Sequence, residues 1–389
     1  MRYYITVLAL HLTVSEEFNS FLSAFLPMAM ESVVLRDALF AFASGHLALA
    51  DKSYQGTAIT ASSMAIRSLA AAVSTPSADI CWHETTAAAC LVLMTAEVGV
   101  GDCRSWYTHL KGAKDIISTA VSQANSQHVR GSEAFKYSSE GQWILRNFAY
   151  HDIIGSVTLR KRPLLDGCYL ESISDAVDSY LGVGTRLLSY VSEITCLDDE
   201  TTPRDHMGDS ELQEMRTRFH NSTCSLENRL NNWKCPAGTP GGLAAVAYAY
   251  RCAALILLYR LLRDRLGTTV LYSNDAENSR DRLIQIMQTK IRKQVDLTLT
   301  HIAEIPVGIG PESTLLFPLF LAGGEASEPF HIEPIRQRLL TILEQRQFRN
   351  VSRALEILED LWALRQQENG AGVDWSQILE TCGREILLT

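Results

Sequence analysis

The dipeptide His151-Asp152 is the strongest candidate for chemistry in this sequence, because it lies inside the apolar helical segment 148–157. An imidazole and a carboxylate in such surroundings need partners, since burying an unpaired polar group is costly. Together with further histidines, the pair would supply ligands for a metal ion that activates water. A metal-dependent phosphohydrolase of all-helical architecture is therefore one hypothesis.

Other catalytic signatures are missing from the sequence. It contains no nucleophile elbow, P-loop, H-E-x-x-H motif or complete dinucleotide fingerprint. The pairs at 83–84 and 331–333 combine a histidine with a glutamate, but neither has a second ligand group at a workable spacing. We therefore predict no metal site and no cofactor, and we identify no catalytic residue.

A pocket between helices is the second kind of site that this sequence can build. Aromatic rings would enclose an apolar molecule, and a cationic side chain would anchor a carboxylate or a phenolate. Helix position and residue type predict six ligand-binding residues: Trp106, His109, Arg146, Tyr150, His151 and Arg251. Ordinary core packing of the same side chains is the competing interpretation.

Helices must position these residues. Apolar residues recur with helical spacing almost everywhere, and no sustained strand alternation bounded by hairpin turns is present. One stripe has steps of four, three, four and three residues, which place its members on one helix face: Trp106, Leu110, Ala113, Ile117 and Ala120. We predict an all-α fold, an irregular bundle of roughly a dozen helices in a single domain over residues 1–389.

The bounds of the other helices follow from the same periodicity and from the Gly, Pro and acidic interruptions between apolar runs. A capping-box pattern at 210–213 opens a helix that continues to about residue 233, and the acidic stretch 197–209 is expected to be a surface loop. Further helices are predicted at 31–50, 57–73, 79–98, 133–159, 171–194, 243–266, 276–303, 326–346, 351–367 and 374–387.

Charge and cysteine usage limit the partners and the compartment. The net charge of −9 opposes binding to a phosphate backbone, so we expect no direct nucleic-acid binding by this chain. Nine cysteines without any C-x-x-C pair suit free thiols in a reducing compartment. The apolar run 244–262 approaches membrane length, but Arg251 lies in its middle, so we predict no membrane association.

Six segments, in sequence order and spread over nearly the whole chain, resemble landmark stretches of the fungal-specific transcription factor domain. That domain is the helical effector region of fungal zinc-cluster regulators. The segments are 41–50 (AFASGHLALA), 106–113 (WYTHLKGA), 146–156 (RNFAYHDIIGS), 248–262, 315–326 (LLFPLFLAGGEA) and 351–362. The resemblance makes His109 and His151-Asp152 parts of family structural segments rather than catalytic groups.

The sequence departs from such regulators in one respect. They carry a six-cysteine cluster with C-x-x-C-x6-C spacing, which holds two zinc ions and presents a helix to DNA. Here the first cysteine is Cys81, already inside the helical body. The resemblance therefore implies an effector region without the zinc cluster, and its DNA-binding function is not carried over.

Three functional hypotheses follow. The first is a transcription-regulator-like module that senses a small metabolite or a partner in a fungal pathway, with secondary metabolism as the expected setting. Its expected partners are a small-molecule ligand, the transcription machinery or a second copy. Its expected location is the nucleus, or the cytoplasm if no DNA-binding partner domain exists. The second is a family member without a DNA reader that binds a small molecule of a biosynthetic pathway or converts it. Such an enzyme would be a cofactor-free cyclase or isomerase that acts by positioning its substrate in a helical cavity. The third is the metal hydrolase, of the type named HD after its paired ligands.

Overall fold

The computed structural model describes residues 1–101, 105–124, 127–173, 176–201, 208–267, 277–308, 310–367, 372–382 and 385–389. Helices dominate these ranges, and the prediction of an all-α fold is confirmed. The buried apolar side chains form one cluster that extends from Tyr4 to Leu388. The assignment of residues 1–389 to a single domain stays a prediction.

The first part of the chain folds into short helices followed by long ones. A π-helix at Tyr4–Leu8 precedes α1 Ala9–Leu12, α2 Ser20–Ser23, α3 Phe25–Glu31, α4 Val33–Ala50, a 3₁₀ turn at Lys52–Tyr54, α5 Gln55–Ser74, α6 Ile80–Val100 and α7 Trp106–Thr119. The expected apolar stripe thus forms α7, with Trp106 and Leu110 buried.

The second part begins with a two-stranded hairpin and continues as helices. It contains β1 Val121–Ala124, β2 Gln127–Arg130, α8 Ser132–Phe135, α9 Ser139–Leu159, a 3₁₀ turn at Gly167–Leu170, α10 Thr185–Glu200, α11 Asp209–Asn232, α12 Gly241–Gly267, α13 Glu277–Ala303, a 3₁₀ turn at Gly310–Thr314, α14 Leu316–Glu325, α15 Pro329–Arg346, α16 Arg349–Arg365 and α17 Trp375–Cys382.

Helix α9 runs through the middle of the molecule. It is capped at its start by Ser138, whose hydroxyl accepts a hydrogen bond from the backbone N–H of Gly141 at 2.9 Å, and it is followed by Arg160 in the left-handed conformation. Its residues from Ile144 to Thr158 are buried on all sides. A helix enclosed in this way is a core element, so its polar side chains must find partners inside the protein.

Two described helices are long and apolar enough to cross a membrane by length and composition alone. They are Val33–Ala50 and the Gly241–Arg265 part of α12, and 39% and 72% of their respective apolar windows are buried inside the molecule. The second is therefore covered mostly by neighbouring helices, among which α13 and α14 pack against it. The absence of membrane association stays a prediction.

A buried network of charges ties α12 to the C-terminal helices. The Glu325 carboxylate at the end of α14 pairs with the guanidinium groups of Arg260 and Arg263, and Arg260 also donates to Asp374 at 2.8 Å. Burial alone would raise the pKa of Glu325, but the two arginines outweigh it and hold that pKa below its usual value. The charges are thus paired where three helices meet.

Several sequence-based predictions of secondary structure differ from the structure. The helix predicted at 171–194 begins only at Thr185, because Gly182 adopts a left-handed conformation and its backbone pairs with that of Asp178. The helix predicted at 374–387 ends at Cys382, and residues 385–389 are not helical. The hairpin of β1 and β2 was not predicted, since four-residue strands are too short to show diagnostic alternation.

Candidate functional site

A cavity of about 40 Å³ lies where distant parts of the chain meet beside α9. Room for one water molecule takes roughly 10–15 Å³, and an apolar cavity of about 150 Å³ binds benzene, so this cavity suits a few waters or one compact chemical group. It is lined by His11, Leu12, Thr95, Val98, Gly99, Tyr150, His151, Tyr180, Ser313, Thr314, Phe348, Asn350 and Thr389.

Consecutive residues of α9 form one wall of the cavity. The Tyr150 hydroxyl lies 3.2 Å from the hydroxyl of Tyr250, which itself donates to the backbone carbonyl of Thr314 at 2.8 Å. Because the proton of Tyr250 is used in that bond, Tyr150 is the donor between the two phenols. This chain of hydrogen bonds links α9 through α12 to the 3₁₀ turn before α14.

His151 uses both of its ring nitrogens inside the protein. Its Nδ1 lies 3.0 Å from the hydroxyl of Thr389, and its Nε2 lies 3.1 Å from the hydroxyl of Tyr180. Burial lowers the pKa of His151 to about 3. The imidazole is therefore neutral at physiological pH, so one nitrogen donates a hydrogen bond and the other accepts one.

Segment 385–389 closes the cavity from another side. Its backbone carbonyls accept hydrogen bonds from side chains: Ile386 from the Thr158 hydroxyl at 2.6 Å, and Thr389 from the Asn350 amide at 2.6 Å. Its side chains from Ile386 to Leu388 are buried. The segment is thus held in the core by α9 and α16 rather than by secondary structure of its own.

Four polar atoms of the cavity lining are buried without a hydrogen-bond partner among the described residues. They are His11 Nδ1, Ser313 Oγ, Thr314 Oγ1 and Asn350 Oδ1. Burial, reinforced by the nearby charge of Arg346, lowers the pKa of His11 to about 4. Since buried polar atoms are rarely left unpaired, these four atoms mark where water or the polar end of a ligand would bind.

Of the six residues predicted to bind a ligand, only Tyr150 and His151 line this cavity. Arg146 lies earlier on α9, where its Nε donates to the carboxylate of Asp178 at 3.1 Å, so its charge is already paired. Trp106 is buried on α7 against Gly155, on the side of α9 that faces the segment 385–389.

The remaining two predicted residues lie elsewhere. His109 contacts the Glu97 carboxylate through Nε2 at 3.1 Å, which joins α7 to α6. The guanidinium of Arg251 lies over the ring of Tyr248, 5.0 Å from its centroid, and donates to the backbone carbonyl of Trp233 at 3.3 Å. Both side chains therefore link neighbouring elements away from the cavity.

Asp152 does not share partners with His151. Its carboxylate accepts hydrogen bonds from the backbone N–H groups of Leu164 and Leu165 at 2.8 and 3.0 Å, and burial raises its pKa to about 7. Among the residues whose positions are described, no three His, Cys, Asp or Glu side chains come together to hold a metal ion. The dipeptide thus serves two structural contacts, and nothing here favours the metal-hydrolase hypothesis.

The polar lining outside α9 was missed by sequence reasoning. His11 was weakly signalled, because it interrupts a largely apolar stretch, whereas Asn350 lies in the mostly polar stretch 344–353. Ser313 and Thr314 follow a Gly-Pro turn and resemble ordinary loop residues, and Thr389 carries no local signal at all. These residues come together only because elements hundreds of positions apart pack on one another.

Comparison with known proteins identifies one family. The model of the fungal specific transcription factor domain matches residues 1–389. No curated protein and no solved structure matches the chain. Together with the all-α architecture and the order of its six landmark segments, this whole-length match shows that the chain belongs to the family of the fungal specific transcription factor domain.

Proposed function

We propose that this chain is the effector module of a transcription regulator, and that its activity responds to a small molecule bound in the cavity beside His151. The whole-length family match supports a transcription-regulator role and a nuclear site of action. The observation that carries the ligand response is the set of unpartnered buried atoms in a cavity bordered by α1, α6, α9, α16 and segment 385–389.

The coupling follows from where the cavity lies. A ligand shifts a conformational equilibrium only by its different affinity for the two states. A group bound here would form hydrogen bonds with the unpartnered polar atoms of α1, α16 and the 3₁₀ turn at Gly310–Thr314. It could do so only while those elements keep their present packing. Binding thus favours one arrangement of helices that reach the molecular surface, and that arrangement would be read by the transcription machinery or by a second copy.

The test joins residues 1–389 to an unrelated DNA-binding domain and measures transcription from a reporter with the matching DNA site. We expect the fusion to change reporter output several-fold relative to the DNA-binding domain alone. Thr314→Val removes the unpartnered hydroxyl without changing the shape of the side chain, and it should shift the output towards the unliganded level.

The matched control is Thr300→Val, at an exposed position of α13. It should leave the reporter output unchanged, and immunoblotting should show equal amounts of all fusions. A fusion that is present at normal levels yet has no effect on transcription would contradict the regulator role. Equal outputs from the two valine variants would contradict the ligand response.

A further inference from the structure

We propose that the cavity accepts a compact, uncharged group that both donates and accepts hydrogen bonds, of the primary carboxamide type. This inference rests on the proposed function and names the class of ligand for the same site. The group would be the end of a larger molecule or a small molecule by itself. Four observations on the lining lead to it.

Asn350 requires a donor from the ligand. Its Nδ2 donates to the backbone carbonyls of Thr389 at 2.6 Å and Leu387 at 3.4 Å. Because both of those acceptors are carbonyl oxygens, the amide cannot be turned round without losing both bonds. Its Oδ1 therefore stays a buried acceptor with no partner among the described residues, and only an N–H or O–H group can satisfy it.

Two hydroxyl groups are free to donate to an acceptor on the ligand. Ser313 Oγ and Thr314 Oγ1 belong to one 3₁₀ turn and have no partner in the described part of the chain. Thr314 is only 2% exposed, so bulk water does not solvate its hydroxyl. A carbonyl oxygen has two lone pairs and can accept from both hydroxyl groups, whereas an ammonium group cannot accept at all.

No side chain of the lining carries a formal charge at neutral pH. Its titratable side chains are imidazoles and phenols, and both nitrogens of His151 are engaged by Tyr180 and Thr389. The nearest arginine, Arg346, already donates to the backbone carbonyl of His11. An ion in this cavity would lose its hydration without a charged side chain of the lining to pair with, which costs more than burying a neutral polar group.

The size of the cavity restricts the group to a few non-hydrogen atoms. Its volume of about 40 Å³ is well below the roughly 150 Å³ that accommodates benzene. A primary carboxamide is planar, carries two N–H donors and one carbonyl acceptor, and occupies little more room than two or three waters. It therefore matches the number of atoms to be satisfied and the room available.

Three isosteric probes test the inference: acetamide, acetate and acetamidinium. They share one shape and differ in charge. Saturation-transfer NMR on the full chain therefore shows how charge alone changes the binding of the probe. We expect acetamide to bind saturably in the millimolar range, and each charged probe to bind at least tenfold more weakly. Equal or tighter binding of either ion, or no binding of acetamide, would overturn the proposal.

Substitutions in the cavity lining test where acetamide binds. The double variant Ser313→Ala, Thr314→Val should weaken acetamide binding at least tenfold while the melting temperature stays the same or rises, because no protein hydrogen bond is lost. Thr300→Val is the control and should bind acetamide like the unaltered chain. Acetamide binding that is indifferent to the double variant would place the probe elsewhere and overturn the site.

Failure of the ligand class and failure of the regulator role give different results. If acetamide does not bind but the reporter fusion responds to Thr314→Val, then the carboxamide class is wrong and the ligand-responsive regulator stands. If acetamide binds with the expected dependence on the hydroxyl groups but the fusion has no effect on transcription, then the site is real and the regulator role is wrong.

Discussion

The imidazole of His151 and the hydroxyl of Thr389 lie 3.0 Å apart although 238 positions separate them in the chain. The contact joins the central helix α9 to the buried segment 385–389, and it forms part of the cavity wall. Because the segment has no secondary structure, such side-chain contacts determine whether it stays in the core. The wall of the candidate site and the stability of this end of the fold therefore depend on the same few residues.

Replacing Asn350 with alanine should release segment 385–389. The change removes the donor to the carbonyls of Thr389 and Leu387 and should lower the free energy of unfolding by about 1–3 kcal/mol. Urea unfolding measures the loss, and hydrogen exchange should show faster exchange within 385–389. Asn228→Ala, at an exposed site on α11, is the control. Unchanged exchange in the segment would show that Asn350 does not hold it.

The neutral state of His151 should appear as a pH dependence of stability. Its pKa is about 3 in the folded chain and about 6.5 when unfolded, so the unfolded chain binds the extra proton between these values. Its contribution to stability is therefore complete above pH 6.5 and is lost as the pH falls. The change is about 1.4 kcal/mol per pH unit for one such group.

The variant His151→Gln isolates the pH-dependent contribution of His151 to stability, because an amide keeps a donor and an acceptor but does not titrate in this range. The free energy of unfolding of the unaltered chain minus that of the variant should decrease between pH 6.5 and 4.5. Taking the difference removes the contribution of the carboxylates, including Asp152, if they titrate alike in both proteins. A difference independent of pH would mean that His151 is protonated in the folded chain or solvated.

Replacing Glu325 with glutamine should be strongly destabilising. The carboxylate pairs with Arg260 and Arg263, and its loss leaves the buried guanidinium of Arg260 and the half-buried one of Arg263 short of a partner. Removing one member of a buried ion pair costs about 3–5 kcal/mol. Glu359→Gln breaks the exposed pair with Arg336 and should cost less than about 1 kcal/mol. Similar losses in thermal or urea unfolding of the two variants would contradict the importance of the buried network.

Adding a methyl group at Gly155 should disturb the packing of α9 against α7 and the segment 385–389. A Cβ atom there would lie 3.2 Å from atoms of both Trp106 and Leu387. Overpacking of this kind costs about 1–3 kcal/mol. We expect Gly155→Ala to lower the urea midpoint and to accelerate hydrogen exchange in the segment.

Gly56→Ala, in contrast, should raise the free energy of unfolding. Nothing lies within 4 Å of a Cβ atom at this position, which belongs to helix α5. Alanine is favoured over glycine in helices by up to about 1 kcal/mol. A gain in stability at Gly56 with a loss at Gly155 would confirm that packing, rather than helix propensity, decides the effect. A gain at both positions would contradict the close approach of Trp106 and Leu387 to α9.

The sequence by itself determined the fold class and the family. Helical periodicity is a local property, so the stripe through Trp106 and Leu110 predicted α7 without knowledge of its neighbours. The six landmark segments are likewise readable along the chain, and the whole-length family match agrees with them. The choice of His151 and Tyr150 as site residues also came from their position within an apolar helix.

Tertiary structure alone decided which side chains share the cavity. Periodicity shows which face of a helix is apolar, but it does not show which element packs against that face. Nothing local indicates that His11, Asn350 and Thr389 meet beside α9. The apolar residues 386–388 could equally have continued α17, and burial between α9 and α16 holds them outside any helix. Burial stabilises apolar surface without regard to direction, so the long-range fit of neighbouring elements determined both the path of this segment and the composition of the site.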